Sequence, residues 1–171
     1  MSAIYVCPLS RLGETVNRTG ARHIVTLLNR ETPVDRPGSV ELGNHLLLGM
    51  HDICDPADGM VCPSEEHVRT FLNFVGRWDR RTPVVIHCYA GISRSTAAAF
   101  SAYCAMRPGL DEARIARLIR ERSPEATPNA RIVQMADAIL GREGRMIEAV
   151  EKIGRGVFAY EGSVFALRLD E

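Results

Sequence analysis

The stretch that decides the fold is residues 83–106, which read PVVIHCYAGISRSTAAAFSAYCAM. Residues 83–86 form a continuous apolar run, typical of a strand buried on both faces of a sheet. Residues 94–106 are rich in alanine and predict a helix that ends before Pro108-Gly109. The loop at residues 87–95 therefore follows the carboxyl end of a strand, where open α/β sheets bind ligands. It also leads into a helix N-terminus, whose free amides bind anions.

The remaining segments alternate between strand and helix patterns on both sides of this stretch. Short apolar runs predict strands, and apolar residues three to four apart predict helices. Strands are predicted at Ile4–Cys7, Ile24–Leu28 and Leu46–Met50, with an alternating edge strand at Phe165–Leu169. Helices are predicted from Ser64 to about Trp78, at Asp111–Arg122, from Thr127-Pro128 to Gly141 and at Met146–Ile153, with weaker helical spacing in Ser10–Gly20. The order predicts an α/β fold with a mostly parallel central sheet of four to five strands and helices on both faces.

Composition excludes several classes of partner. The 171 residues carry no net charge and the pI is about 7.0, so there is no global basic field for nucleic acid or anionic membranes. No basic-then-apolar leader or membrane-length apolar run is visible. The five cysteines are an odd number at irregular spacing, which favours free thiols in a reducing cytoplasm over a disulfide framework. Only Lys152 among the 21 basic residues is not arginine, which indicates GC-rich codon usage in a bacterial genome.

The loop contains a nucleophile and an anion-binding group. Cys88 can attack only as a thiolate, a form that helix N-termini and nearby cations favour. Arg94 offers a planar fork that can bind two oxygens of one phosphoryl group. Gly91 allows the backbone to turn its amides inward. Ser95 can hydrogen-bond the sulfur, and His87 is predicted to fix the loop through its ring nitrogens. The amides of the variable positions would complete the anion cradle, at Tyr89, Ala90, Gly91, Ile92 and Ser93.

Residues 87–95 match the signature His-Cys-x-x-Gly-x-x-Arg-Ser/Thr, and the chain thereby resembles the protein tyrosine phosphatase superfamily. The resemblance is to small dual-specificity and bacterial tyrosine-phosphatase-like proteins and covers roughly residues 1–141. It implies a phosphatase core domain at 1–141, with 142–171 as a C-terminal extension packed on it. It also implies hydrolysis of phosphate monoesters through a cysteinyl-phosphate intermediate, with neither metal nor organic cofactor.

Such a reaction needs a proton for the leaving oxygen, best given by a carboxyl group from another loop. Asp52 follows the third predicted strand and lies 36 residues before Cys88, where the resemblance implies the general acid. Asp55 is the second candidate, and Asp58 reads as a solvated loop residue. The Pro128-Asn129 pair resembles the start of a late helix in dual-specificity phosphatases, where the Asn braces the catalytic loop. Helix capping explains Asn129 equally well.

Three other readings differ from this one in testable ways. The first is another class of enzyme. Sulfurtransferases also carry a cysteine on an anion-binding loop, but their reaction would have no use for Gly91 or for an acid upstream of the cysteine. Low-molecular-weight phosphatases carry the cysteine loop near the N-terminus and the acid after it, which is the opposite order along the chain. A catalytically weak phospho-binding pseudophosphatase would keep the pocket without turnover. Zinc binding is the third reading, with ligands drawn from His51, Cys54, Cys62 and His67, although the same segment serves as the acid loop.

The sequence narrows the substrate only to a class. None of the variable loop positions is lysine, which favours a phosphorylated protein or small aromatic phosphate over a polyanionic lipid head group. Phosphotyrosine is the predicted target, with dual specificity left open because no motif reports pocket depth. Oligomeric state and protein partners are not encoded in any pattern of the sequence.

Overall fold

The computed structural model describes residues 2–170 and contains a five-stranded sheet in the order β3-β2-β4-β1-β5. The strands are β1 (Ala3–Pro8), β2 (His23–Leu28), β3 (His45–Gly49), β4 (Val84–Cys88) and β5 (Phe165–Arg168). The first four pair in parallel, and β5 adds to β1 in the antiparallel sense. All five residues of β4 are buried, as expected for the central strand of a sheet covered on both faces.

Helices cover both faces of the sheet. They are α1 (Leu12–Thr19), α2 (Glu65–Arg77), α3 (Arg94–Met106), α4 (Glu112–Arg122), α5 (Ala130–Ile139) and α6 (Arg145–Ile153). Helix α1 packs through Leu12 and Val16 on one face, in a small cluster with Ile24 and Val85. The other helices enclose the larger core on the opposite face. The predicted fold class, with four to five mostly parallel strands between helical layers, is confirmed.

The predicted start of α5 at Thr127-Pro128 is wrong. Asn129 is the N-cap, its side-chain oxygen accepting the amide of Ile132 at 3.1 Å, and the helix begins at Ala130. The Thr127 hydroxyl instead donates to the carbonyl of Glu125 and accepts the amide of Gly156. Tertiary contacts of residues 127–129 therefore override the local helix-start signal.

Residues 142–170 are built into the fold. The alternating run predicted as an edge strand is β5, which lies at the sheet edge beside β1. Helix α6 packs on α4 and α5. The division into a core at 1–141 and an extension at 142–171 stays a prediction, and its two outer ends, Met1 and Glu171, lie outside the described residues. None of the helices within residues 2–170 is long and apolar enough to cross a bilayer.

Candidate active site

The loop at residues 88–94, here called the cysteine loop, connects β4 to α3. Its backbone carbonyl groups point outward and accept hydrogen bonds from the surrounding chain. Four of these carbonyls accept backbone amides from three other segments of the chain. The bonds are Leu9 N–H to Tyr89 O (3.0 Å), Gly162 N–H to Ala90 O (2.8 Å), Thr127 N–H to Ile92 O (2.9 Å) and Asn129 N–H to Ser93 O (3.2 Å). The conformation of the loop is thus fixed by tertiary contacts along most of its length.

Outward carbonyls dictate where the amides point. In a planar trans peptide the C=O of one residue and the N–H of the next point in opposite directions. The amides that follow the four bonded carbonyls therefore face the interior of the loop, and they belong to Ala90, Gly91, Ser93 and Arg94. Gly91 N–H shows this directly, because it donates to Cys88 Sγ at 3.3 Å. The loop is a concave set of donors around the sulfur, a backbone arrangement that binds anions.

Gly91 is the position at which the loop tolerates no side chain. Its φ is +72°, in the left-handed region. A Cβ there would also lie 2.7 Å from the Pro8 nitrogen and 2.8 Å from the Cys7 carbonyl carbon. Both the conformation and the contact with β1 therefore require glycine.

The sulfur and the guanidinium are buried together at the base of the loop. Cys88 is 2% exposed and its Sγ lies 3.1 Å from Ser95 Oγ. Arg94 is 8% exposed, and one terminal nitrogen donates to the Met50 carbonyl at 2.8 Å. Its Nε is buried and has no hydrogen-bond partner within residues 2–170. A buried donor without a protein partner costs free energy, and an oxygen of a bound phosphoryl group would satisfy it.

His87 supports the loop from beneath. It is fully buried, with Nδ1 3.3 Å from the Cys88 carbonyl and Nε2 2.7 Å from Thr26 Oγ1. The same hydroxyl lies 2.8 Å from His45 Nε2. Burial lowers the pKa of His87 to about 4, although the carbonyl of Cys88 acts in the opposite direction. His87 is therefore neutral at physiological pH, in agreement with a supporting position rather than one in contact with substrate.

Asp52 lies against the cysteine loop. Its Oδ1 accepts the Ser93 hydroxyl at 2.7 Å and the Asn129 amide at 2.9 Å. The side chain is exposed, and its Oδ2 accepts no hydrogen bond from the described part of the chain. Asp55 and Asp58 are exposed and make no hydrogen bond or ion pair within residues 2–170. The structure thus brings Asp52 to the cysteine loop, and Asn129 caps α5 while it also holds Asp52.

The acid loop, residues 50–63, is held mainly by side chains of α5 and its N-cap. Arg131 donates to the carbonyls of Pro63 at 2.7 Å and Cys54 at 3.2 Å. Asn129 adds a bond to the Ile53 carbonyl at 3.3 Å. These contacts join residues 68 to 77 positions apart. They give the loop a defined place although most of its residues are exposed.

The four residues considered for zinc make other contacts. His51 Nδ1 accepts the amide of Val61, and His67 forms a capping box with Ser64 at the start of α2. Cys62 Sγ lies 3.9 Å from the carbonyl oxygen of Cys54. Within residues 2–170 no group of three or more His, Cys, Asp or Glu side chains is arranged to hold a metal ion.

Several residues of the site carry no signal that sequence reasoning could use. Thr26 lies in β2 and His45 in the neighbouring strand β3, and only the pairing of the strands places the Thr26 hydroxyl between the rings of His45 and His87. Arg131 reads as an ordinary helix residue. Gly162, whose amide holds the Ala90 carbonyl, lies 72 residues beyond that carbonyl.

Comparison with known proteins adds a family and a fold. A family model described as protein-tyrosine phosphatase matches residues 56–130, which include the cysteine loop and Asn129 but not Asp52. No curated protein has a significantly similar sequence. The matched region contains the whole cysteine loop, so this similarity does not depend on Asp52.

Solved structures of phosphatases share the fold. The structure of DUSP15 has a TM-score of 0.65 at 18% identity, covering 90% of this chain and 91% of that one. The Cydia pomonella PTP-2 phosphatase has a TM-score of 0.63 at 17% identity, covering 79% and 84%. The human tyrosine phosphatase-like serine/threonine/tyrosine-interacting protein has a TM-score of 0.62 at 20% identity, covering 82% and 92%. Together with the family match over residues 56–130, these similarities show that the chain resembles cysteine-based phosphatases of the tyrosine and dual-specificity type, both in its fold and in the segment that contains the cysteine loop.

Proposed function

We propose that the chain is an active phosphatase that cleaves phosphate monoesters through a covalent bond to Cys88. The observation that carries the proposal is the donor set at the base of the loop. The cysteine loop has four amides that face inward, one of which donates to the buried sulfur, and Arg94 at its end has an Nε without a protein partner. Such a set complements the charge that spreads over the equatorial oxygens of a transferring phosphoryl group.

In the first step the Cys88 thiolate attacks phosphorus, forming the S–P bond as the bond to the ester oxygen breaks. Asp52, protonated, gives its proton to the departing oxygen. Its Oδ1 is held by Ser93 and Asn129, so Oδ2 is the oxygen free to face the leaving group. Arg94 and the loop amides hold the three equatorial oxygens throughout.

In the second step a water molecule attacks the same phosphorus. The Asp52 carboxylate accepts a proton from that water, and the S–P bond breaks to release inorganic phosphate and the Cys88 thiolate. Ser95 Oγ, 3.1 Å from the sulfur, can donate a hydrogen bond that stabilises the departing thiolate. Asp52 loses its proton in the first step and gains one from water in the second, so the two steps together return every group to its starting protonation and the cycle balances.

The substrate we propose is a phosphorylated protein, with phosphotyrosine as the first residue to test, or a small aromatic phosphate. The buried sulfur and guanidinium favour an ester whose phosphate extends well beyond its backbone. A cytoplasmic location in a bacterium accords with the arginine-rich composition and with five cysteines that are all free thiols. Neither nucleic acid nor membrane lipid is part of the proposal.

The proposal is tested by hydrolysis of a chromogenic aryl phosphate, without metal, across the neutral and acidic range of pH. We expect a bell-shaped profile for the wild type. Asp52→Asn should lower kcat about 100-fold and flatten the alkaline limb, because general acid catalysis is typically worth that much or more. Asp55→Asn is the matched control, an exposed aspartate of the same loop, and should retain the wild-type profile.

Two outcomes would change the assignment. If Asp55→Asn loses the alkaline limb and Asp52→Asn keeps it, the acid is Asp55. If the wild type does not turn over but binds the aryl phosphate or a phosphopeptide, the chain is a phospho-binding pseudophosphatase.

A further inference from the structure

The segment at residues 154–164, here called the C-terminal wall, runs beside the cysteine loop between α6 and β5. It is attached at both ends. Near its start Val157 N–H donates to the Pro124 carbonyl at 3.0 Å. Near its end Gly162 N–H donates to the Ala90 carbonyl at 2.8 Å, and the amide of Ser163 donates to the Glu125 carboxylate. The wall is therefore part of the architecture around the site.

The contact with the cysteine loop is backbone against backbone. A Cβ on Gly162 would lie 2.6 Å from the Gly91 carbonyl oxygen and 3.3 Å from a side-chain carbon of Ile92. Glycine at this position allows the wall to approach that closely. The wall is thus held at a fixed distance from the loop that carries Cys88.

A groove of about 570 Å³ lies between the middle of the C-terminal wall and the part of the site that contains Asp52. Asp52, Ile92 and Ser93 line one side, and Val157 and Phe158 line the other. Cys88 and Arg94 are not among its lining residues, so the groove lies beside the part of the cysteine loop that would hold the phosphoryl group. Its volume falls in the range of ligand pockets and far exceeds the needs of a phosphoryl group, which the loop itself accommodates.

Most of the residues that line the groove are uncharged, and among the charged ones acidic residues outnumber basic ones. Besides Asp52 its charged lining residues are Glu125, Glu151 and Arg155. Although burial acts to raise it, the pKa of the Glu125 carboxyl is below its usual range because hydrogen bonds from Ser163 outweigh burial. Glu125 is therefore a carboxylate at neutral pH, and acidic residues of a ligand would be repelled.

An exposed aromatic pair stands on the wall. Phe158 is 80% exposed and Tyr160 is 88% exposed, and their rings meet edge to face with centroids 5.3 Å apart. Val157 is 63% exposed. Aromatic and apolar side chains fixed in this way beside a catalytic loop contribute nothing to the core, and aromatic residues are enriched where proteins bind other proteins.

We propose that this groove binds an apolar side chain that flanks the phosphorylated residue of a protein substrate. The inference rests on the proposed function, because the phosphoryl group in the cysteine loop places the flanking residues at the mouth of the groove. The groove is lined by Asp52 and Ser93, which sets its place relative to the phosphate. The Glu125 carboxylate in its lining disfavours acidic flanking residues. The wall is thereby a specificity element for peptide sequence.

The test measures binding, so that it does not depend on turnover. In a Cys88→Ser background, dissociation constants are measured for two synthetic phosphotyrosine peptides, one with leucine and one with aspartate at the flanking positions. We expect the leucine peptide to bind at least about 10-fold more tightly, because the groove removes apolar surface of leucine from water, whereas aspartate gains nothing from burial there. Val157→Ser combined with Phe158→Ala should reduce the ratio to about 2-fold.

The matched control is Leu42→Ala, which removes an apolar side chain that is 78% exposed. Leu42 precedes β3 and therefore lies near the amino-terminal ends of the parallel strands. Cys88 lies at their carboxyl-terminal ends, on the other side of the molecule. This variant should keep the full preference for the leucine peptide. Equal affinities for the two peptides, equal weakening of both by the wall variant, or no binding of either would overturn the proposal.

The failure of the proposed function is a separate observation, namely the absence of aryl phosphate hydrolysis by the wild type. A chain that turns over the aryl phosphate but shows no flanking preference refutes the groove alone. A chain that shows the preference without turnover refutes catalysis alone.

Discussion

The cysteine loop and the acid loop meet at the Ser93–Asp52 hydrogen bond, and they are held in opposite ways. The cysteine loop is fixed by its own backbone, with four carbonyls bonded to other segments and with Cys88 and Arg94 buried. The acid loop is mostly exposed and, beyond Met50 at its start, is fixed to the rest of the fold mainly by the side chains of Asn129 and Arg131. The difference suits the proposed chemistry, in which the cysteine loop must be preorganised to hold a phosphoryl group and the exposed Asp52 must reach the leaving oxygen.

Two glycines with the same backbone conformation provide the strongest test of this contrast. Gly91 in the cysteine loop has φ +72°, and Gly59 in the acid loop has φ +74°. A Cβ on Gly91 would meet backbone atoms of Cys7 and Pro8, while one on Gly59 meets nothing within 4 Å. Gly91→Ala should lower the free energy of unfolding by about 4 kcal/mol, combining strain with overpacking, and Gly59→Ala by only about 1 kcal/mol.

Urea unfolding of both variants measures the difference. Gly91→Ala should also lose aryl phosphate hydrolysis, because the displaced loop cannot aim its amides. Equal losses of stability in the two variants would show that the cysteine loop is no more constrained than the acid loop.

The buried support of the cysteine loop should appear in the pH dependence of stability. Burial lowers the pKa of His87 to about 4, from about 6.5 in an unfolded chain. Between these values the unfolded state binds the proton more readily, so this stability is complete above pH 6.5 and is lost as pH falls toward 4. The loss amounts to about 3 kcal/mol.

Urea unfolding of the wild type and His87→Gln at neutral pH and near pH 4 checks this expectation. The loss on acidification should be smaller in His87→Gln by up to about 3 kcal/mol. The other histidines with burial-lowered pKa values remain in both chains. His23 and His67 cancel in the difference, whereas His45 shares the Thr26 hydroxyl with His87 and contributes to it. If both proteins lose the same free energy of unfolding on acidification, the protonation of His87 does not contribute to the pH dependence of stability.

The smallest effect is expected from the hydrogen bond between Asn129, the N-cap of α5, and Asp52. Asn129→Ser keeps a good helix cap but removes the amide that reaches Asp52. Stability should change by less than about 0.5 kcal/mol. We expect kcat to fall about 10-fold, with a larger fall for esters whose leaving group is more basic, because those depend most on proton donation.

Asp111→Ser is the matched control, since Asp111 caps α4 by accepting the amide of Arg114. It should leave kcat unchanged for every ester. If Asn129→Ser loses stability without losing kcat, Asn129 acts only as a cap.

The same contrast explains what the sequence could predict. The cysteine loop is readable because strand, nucleophile, glycine, arginine and helix follow one another within residues 83–106. The beginning of α5 was misplaced because Asn129 is fixed by Ser93 and Asp52, which lie 36 and 77 positions away. The position of the C-terminal wall is even harder to predict from the sequence. It depends on the close approach of Gly162 to the cysteine loop, and no local sequence pattern indicates that contact.

The most direct test of the account is aryl phosphate hydrolysis by the wild type, Cys88→Ser and Cys54→Ser. Cys54 is an exposed free thiol of the acid loop and serves as the matched control. We predict that Cys88→Ser loses about 10⁴-fold or more in kcat, as expected when the nucleophile is removed, and that Cys54→Ser retains wild-type turnover. A Cys88→Ser protein that keeps turnover within about 10-fold of the wild type would contradict the covalent mechanism.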